Sequence, residues 1–404
     1  MIKSNKRISK WEELILPQQK NCSTQRIKLY FFLLMVTLLA FLVRYWGRDY
    51  VSTDMERALL PWFQEMQTNG GLAALSKQVG DYCLLYQTII AVFTYVDMKA
   101  IYLYKLFSSI FDFLLSASIV YFTVNGGNCT IFKKNTVVLC YMFVILLPTV
   151  VMNSAFWGQC DSVYTFFLLW SIWFLYKEKY RKSFILLGCA FAFKLQSILL
   201  VPLFFYIWVC RKNSFSLLNF ELTIMVFWLS GIVTYFYKRG LIDGFIIYIL
   251  QVGEYKKMWM NVPSFWMLTG GDYASLHMVA IFLTILILGI VFFLSVAGKI
   301  SVVSFEKFIS LAAFVEWTCI LFLPAMHERY TYVMDLLLLM LSFMNTKYIK
   351  YAAFAISLSC LTYVRFLVKY PGDVVHPFLV IIYLGAWLHF SYALLPKQDP
   401  NATS

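Results

Sequence analysis

Apolar stretches of membrane-crossing length recur along almost the whole chain, near 28–43, 82–97, 99–123, 136–153, 160–176, 183–209, 219–237, 275–297, 304–324, 330–346, 350–368 and 378–396. About 20 such residues cross the hydrocarbon core of a bilayer as a helix, which closes its own backbone hydrogen bonds there. So regular a series leaves no room for a soluble domain. It predicts an all-α, polytopic transmembrane helical bundle of about 10–13 spans. One transmembrane domain over 28–396 lies between a basic cytoplasmic N-terminus (1–27) and a short cytoplasmic tail (397–404). Composition agrees: 61% of the residues are hydrophobic and 14% charged, against about 45–50% and 25% in soluble domains. The net charge of +13 would suggest nucleic acid in a soluble protein. Here the basic residues sit between apolar runs, so membrane lipid and orientation explain them, and no nucleic-acid partner is expected. The cysteines lie mostly inside apolar runs and form no CxxC, so they read as packing residues.

Cytoplasmic loops of membrane proteins carry an excess of Lys and Arg. The N-terminus, Lys133 with Lys134, the run from Lys177 to Lys182, and Lys347 with Lys350 therefore mark one face, and 44–81 and 238–272 become outer loops. Counting every run as a span puts Lys133 on the wrong side and separates Arg211 from Arg181. Both conflicts vanish if 82–123 crosses once overall and 183–209 is a broken, re-entrant pair with Lys194 at its tip.

With this topology the polar groups converge on the outer face. In the first outer loop, STDMERALLPWFQEMQTNGG, Thr53 and Glu56 have capping-box spacing, predicting a helix start near Asp54. Met55, Leu59, Trp62, Phe63 and Met66 then share one face, Pro61 should kink the helix, and Asn69-Gly70-Gly71 should stop it. Asp54 is the candidate general base; Glu56, Arg57 and Asp81 are candidate binding residues. In FWGQCDSVYT, Trp157 and Gly158 mark the interface, with Gln159 and Asp161 opening a span. In FLPAMHERYTY, His327, Glu328 and Arg329 interrupt an apolar run, where charge is costly unless paired or facing a wet cavity. A His and an Arg together suit a phosphate. Lys194 in FAFKLQS needs an anion or a route to the interface. Lys105, Asp112, Glu316 and Asp335 read as internal pairs. No phosphate-binding loop, dinucleotide fingerprint, HExxH or CxxC occurs, so no cofactor is expected, and a need for a divalent cation is left open.

Together these stretches resemble the GT-C glycosyltransferases. The nearest likeness is to bacterial proteins related to the GPI mannosyltransferases, with a more distant one to the glucosyltransferases of asparagine-linked glycosylation. The likeness covers most of 28–346 and rests on Asp54-x-Glu56 before Pro61-Trp62, on Trp157-Gly158-Gln159-Cys160-Asp161-Ser162, on Phe193-Lys194-Leu195-Gln196, and on His327-Glu328-Arg329-Tyr330. Cys83-Leu84-Leu85 departs from the polar, proline-containing entry expected after Asp81. The resemblance implies inverting transfer of a mannose-like hexose from a polyprenyl-phosphate sugar donor to a glycan or glycolipid acceptor at the outer face. Asp54 would be the base, and His327 and Arg329 would hold the donor phosphate. A bacterial plasma membrane is the expected location, with the endoplasmic reticulum as the alternative. A lipid-linked-saccharide flippase and a polysaccharide polymerase or ligase are the competing functions.

Overall fold

The computed structural model describes residues 22–126, 136–211, 214–297, 302, 304–372, 374–392 and 394. The basic N-terminus through residue 21, Lys133 with Lys134, and the tail 397–404 lie outside them. Among the described residues there is no strand, only isolated bridges that join Met260 and Asn261 to His327. The main helices are α1 (Cys22–Gly47), α2 (Leu60–Thr68), α3 (Leu84–Phe93), α4 (Ala100–Gly126), α5 (Thr136–Ile145), α6 (Asp161–Tyr176), α7 (Tyr180–Phe193), α8 (Val201–Cys210), α9 (Asn219–Ser230), α10 (Asp243–Val252), α11 (Tyr273–Val296), α12 (Phe305–Phe322), α13 (Tyr332–Met344), α14 (Ile349–Leu367) and α15 (Pro377–Tyr392).

Three described helices are long and apolar enough to cross a membrane, within α1, α4 and α11, and a fourth span arises if α5 and the bent segment 148–157 count as one. Several other apolar runs appear as shorter helices, such as α3 and α9. α12 is buried from Phe308 to Phe322 and α13 along its whole length, so both form the centre around which the others pack. A helix apolar on all sides needs such a surround.

The bundle has two distinguishable ends. At one, Lys105 of α4 donates to the carbonyls of Gly47 (2.8 Å) and Tyr50 (2.6 Å) at the close of α1. At the other, Phe122 near the end of α4 stacks on Trp173 of α6, and Phe305 packs on Trp173 and Tyr176. The stretch 82–123 runs from the first end to the second once, by way of α4. α3 begins beside the first end, and past its close the Tyr95 hydroxyl bonds Gly70 O and Leu72 N there, before α4 starts beside Gly47. The segment 183–209 is broken as expected. α7 and α8 form a hairpin whose apex is Lys194, in extended backbone (φ −151°). Arg211 donates to Leu175 O (2.9 Å) and Tyr176 O (3.0 Å), so both feet of the hairpin stand at the second end, with Arg181.

The second end carries Lys177, Lys179, Arg181, Lys182, Arg211, Lys307, Lys347 and Lys350 in and beside helix ends with few carboxylates among them, whereas the Lys and Arg of the first end stand among Asp49, Asp54, Glu56, Asp81, Asp243 and Glu254; in net charge the second is the basic end. Of the expected internal pairs, only Asp112 has a cation: Arg44 Nη2 lies 2.7 Å from Asp112 Oδ2, buried on both sides, and ties α1 to α4. Lys105 bonds carbonyls at a helix C-terminus, where the backbone dipole favours a cation. Asp335 accepts from Ser359 Oγ (3.0 Å), and no described cation pairs with Glu316.

Candidate active site

Two widened, π-helical turns build the first end, Met55–Leu59 and Met152–Trp157. Such turns insert a residue and so re-aim the next stretch of chain. The first leads directly into Pro61, which cannot donate to the turn behind it. The predicted face is met: Met55, Leu59, Phe63 and Met66 are buried, Trp62 is half-buried, and Gly70 stops the helix at φ +84°. The predicted capping box is not formed. Ser52 Oγ accepts from Met55 N (3.1 Å) and donates to Trp157 O (2.9 Å), while Glu56 N bonds Ser52 O. The cap falls one residue earlier because the chain is already fastened to Trp157 there.

The second turn ends at Gly158, with φ +76°. That left-handed backbone strains any residue with a Cβ, and a Cβ there would also have to displace Met55 Cε, which lies against it. Trp157, expected at the interface, is instead fully buried, stacked on Phe366 (4.3 Å) and edge-on to Tyr363. Its Nε1 donates to Asp54 Oδ2 at 2.9 Å, which requires the ring inside.

Gln159 is the hub. Its Oε1 accepts from Tyr82 Oη (2.7 Å) and Arg329 Nη1 (2.7 Å), which turns its Nε2 to donate to Asp54 Oδ2 (2.9 Å). Arg329 Nη2 also lies 3.5 Å from Asp54 Oδ2, and Nη1 lies 3.9 Å from Asp161 Oδ2. Asp161, first residue of α6, accepts from Asn153 Nδ2 (2.6 Å) and pairs with Lys194. Lys194 is therefore neither exposed nor snorkelling; it is 4% exposed, with the rings of Tyr82 and Tyr164 each 5.9 Å from its ammonium. Every contact to the Asp54 carboxylate falls on Oδ2. Oδ1 has no partner among the described residues, and the side chain remains 28% exposed.

The turn with His327, Glu328 and Arg329 is clamped from behind: Ala325 N donates to Lys257 O and Met260 N to Met326 O (both 3.1 Å). Burial, with Arg329 and Lys194 nearby, pushes the His327 pKa down to about 3, so the ring is neutral at pH 7. His327 thus offers a ring N–H rather than a charge, and Lys194 is the second cation. Burial raises Glu328 to about 7, and its Oε2 has no described partner. It does not neutralise Arg329, which pairs with Asp54 and Asp161. Burial opposes the charge on Arg329, but those two carboxylates hold its pKa well above the usual arginine value.

These groups surround a cavity of about 200 Å³, lined by Asp54, Asp81, Gln159, Lys194, His327, Glu328 and Arg329. Asp161 stands behind the wall, fixing Lys194. Glu56 and Arg57 are not part of it. Both are exposed, and Glu56 lies 3.5 Å from Lys369. The cavity also takes in Gln196 of the Phe193–Gln196 element, and Tyr82, Tyr248, Gln251, Glu254 and Tyr255, which the sequence alone did not single out. Gln251 reaches back to the Asp81 carbonyl, and burial raises the carboxyls of Asp81 and, with Asp81 beside it, Glu254. The available signal was Gln251-Val-Gly-Glu254-Tyr255, a polar cluster at the end of an apolar helix in the second predicted outer loop. Among the described residues no group of three or more His, Cys, Asp or Glu is placed to hold a metal ion.

No protein-family model matches the chain, and no curated protein matches it.

Proposed function

We propose that this chain is a GT-C-like membrane glycosyltransferase, with its site end at the outer face of a bacterial plasma membrane. It moves a mannose-like hexose from a polyprenyl-phosphate donor to a glycan or glycolipid acceptor. The shorter apolar helices complete, with the long ones, a polytopic bundle of about 10–13 passages. The observation that carries the reading is Asp54: one carboxylate oxygen held by Trp157 and Gln159, the other without a partner, on a cavity that also holds Arg329 and Lys194. A fixed carboxylate with one oxygen open is suited to taking a proton.

In the proposed step Asp54 Oδ1 takes the proton of an acceptor hydroxyl as its oxygen bonds the anomeric carbon from the face opposite the phosphate. The bond from that carbon to the phosphate oxygen breaks, and its electron pair leaves on the phosphate. Arg329 and Lys194 stabilise the charge that develops there, and a neutral His327 can donate its ring N–H. Since both cations already sit against carboxylates, they meet the phosphate in fixed positions and without reorganising water.

The test uses purified full-length protein, polyprenyl-phosphate mannose labelled in the sugar, and a membrane glycolipid extract. Transfer of label to the extract with release of polyprenyl phosphate is expected. Movement of labelled donor across reconstituted vesicles without transfer would favour a flippase instead.

A further inference from the structure

A second cavity of about 460 Å³ opens at the same end of the molecule, lined among others by Lys256, Lys257, Trp259, Asp272, Tyr273 and Arg365. It is separate from the first. The strip 257–261 lies between them, bonded to 325–327 through Ala325 N to Lys257 O and Met260 N to Met326 O, and the isolated bridges to His327 lie on its far side. Asn261 (φ +61°) and Ala325 (φ +57°) both take left-handed backbone in this clamp. The wall of the second cavity is therefore fixed by the same contacts that seat the His327 turn.

Its lining is cationic. Lys256 and Lys257 are exposed, and neither forms an ion pair with a described residue. Arg365 is held at one edge by the Asn261 side chain and the Gly372 carbonyl. Among the described residues Asp272 is the one acidic side chain in the lining. Trp259 and Tyr273 are half-buried, packed against the buried Met258, Trp266 and Ala280 cluster. Rings of this kind settle where apolar and aqueous layers meet.

Tyr273 also sets the level of the cavity. It is the first residue of α11, the most apolar of the long helices, and Met278, Phe282, Ile285, Ile290 and Phe293 along it are exposed. If α11 crosses the bilayer, its first turn emerges at the level of the lipid phosphates. Exposed lysines gathered at that level attract anionic headgroups.

We propose that this pocket binds the phosphate of an anionic membrane lipid, with Lys256 and Lys257 supplying the charge and Trp259 and Tyr273 bordering the headgroup. The inference does not rest on the glycosyl-transfer reading, because its measurement is binding.

The experiment titrates purified full-length protein in neutral detergent micelles with short-chain phosphatidylglycerol, short-chain phosphatidylcholine and inorganic phosphate, following affinity by thermophoresis. Phosphatidylglycerol should bind most tightly. The Lys256→Gln/Lys257→Gln double variant should lose roughly 30-fold in its affinity, since each lysine near a charged lipid surface contributes on the order of a fivefold factor. Both side chains are exposed and make no ion pair, so the variant should keep the parental elution volume and unfolding temperature. A control, Lys77→Gln/Lys99→Gln, alters exposed lysines outside the pocket and should bind like the parent. Parental affinity in the double variant, or an equal loss in the control, would overturn the site. Equal binding of phosphatidylcholine would overturn its anion selectivity, and equal binding of inorganic phosphate would overturn its assignment to a lipid.

Discussion

The two ends of this bundle both bring cations to aromatic rings, in settings that differ for most of them, though Lys99 over Tyr102 is exposed at the site end and Arg211 over Phe308 is 16% exposed at the basic end. At the basic end Lys177 lies over Trp173 (4.6 Å), Lys347 over Tyr348 (4.6 Å) and Lys350 over Tyr351 (5.0 Å), all with exposed ammonium-bearing side chains. At the site end Lys194 and Arg329 are 4% and 15% exposed, and carboxylates hold both. An exposed cation keeps its hydration and costs little, so the basic end can be read as orientation alone. A buried cation loses that hydration and persists with a fixed anion beside it, as Lys194 does, or with carbonyls that accept from it, as Lys105 does. Burial against carboxylates at a cavity, more than the sign of the charge, therefore sets Lys194 and Arg329 apart from the exposed cations of either end.

The comparison breaks most visibly if the ends do not face opposite sides of a membrane. In a chain whose native cysteines are replaced, Asp49→Cys should label with an impermeant reagent in intact cells and Glu178→Cys should not; both side chains are well exposed. Labelling of both positions would overturn the assignment of ends. Next in size is the contrast between buried and exposed lysine. Lys194→Met leaves Asp161 only Asn153 and, at 3.9 Å, Arg329, and should cost about 3–5 kcal/mol of stability. Lys182→Met at the basic end should stay within about 0.5 kcal/mol. Equal losses, measured by denaturant or thermal unfolding in micelles, would remove the distinction.

A smaller effect is expected for Arg329→Ala. It should weaken donor binding by roughly 1.5–3 kcal/mol, the range for a hydrogen bond to a charged group, and unchanged donor affinity would exclude Arg329 from the phosphate. Smallest of all is Glu56→Gln. Its carboxylate lies 3.5 Å from Lys369 with both side chains more than half exposed, and such a pair is worth at most about 1 kcal/mol. Near-parental transfer is expected, and a large loss would return Glu56 to the site.

Why Asp54 but not Glu56 or Arg57 reached the cavity is a matter of helical period. Met55 and Leu59 turn inward against Gly158 and the core, so Glu56 and Arg57 between them face out while Ala58 reaches the cavity. The sequence showed the acidic cluster and the apolar face but not that Ser52, fastened to Trp157, sets the rotation of the turn. Lys194 was legible as a break in an apolar run, and the basic loops correctly grouped Arg211 with Arg181. Its partner Asp161 was also visible, but not their pairing, because the two stand 33 positions apart across the turn between α6 and α7. Tyr82, Gln251 and Glu254 stayed hidden for a similar reason. Each is an ordinary residue for its place in the chain and joins the site only through the approach of α3 and α10 to the turn at His327.

The central claim is that Asp54 takes the proton of the acceptor. Asp54→Asn preserves the size of the side chain and an oxygen that can accept from Trp157 and Gln159, but it removes the base. With purified protein and polyprenyl-phosphate mannose, donor binding and unfolding temperature should stay near parental while transfer falls by about 100- to 10,000-fold. Transfer at the parental rate by a folded, donor-binding Asp54→Asn protein would contradict the account.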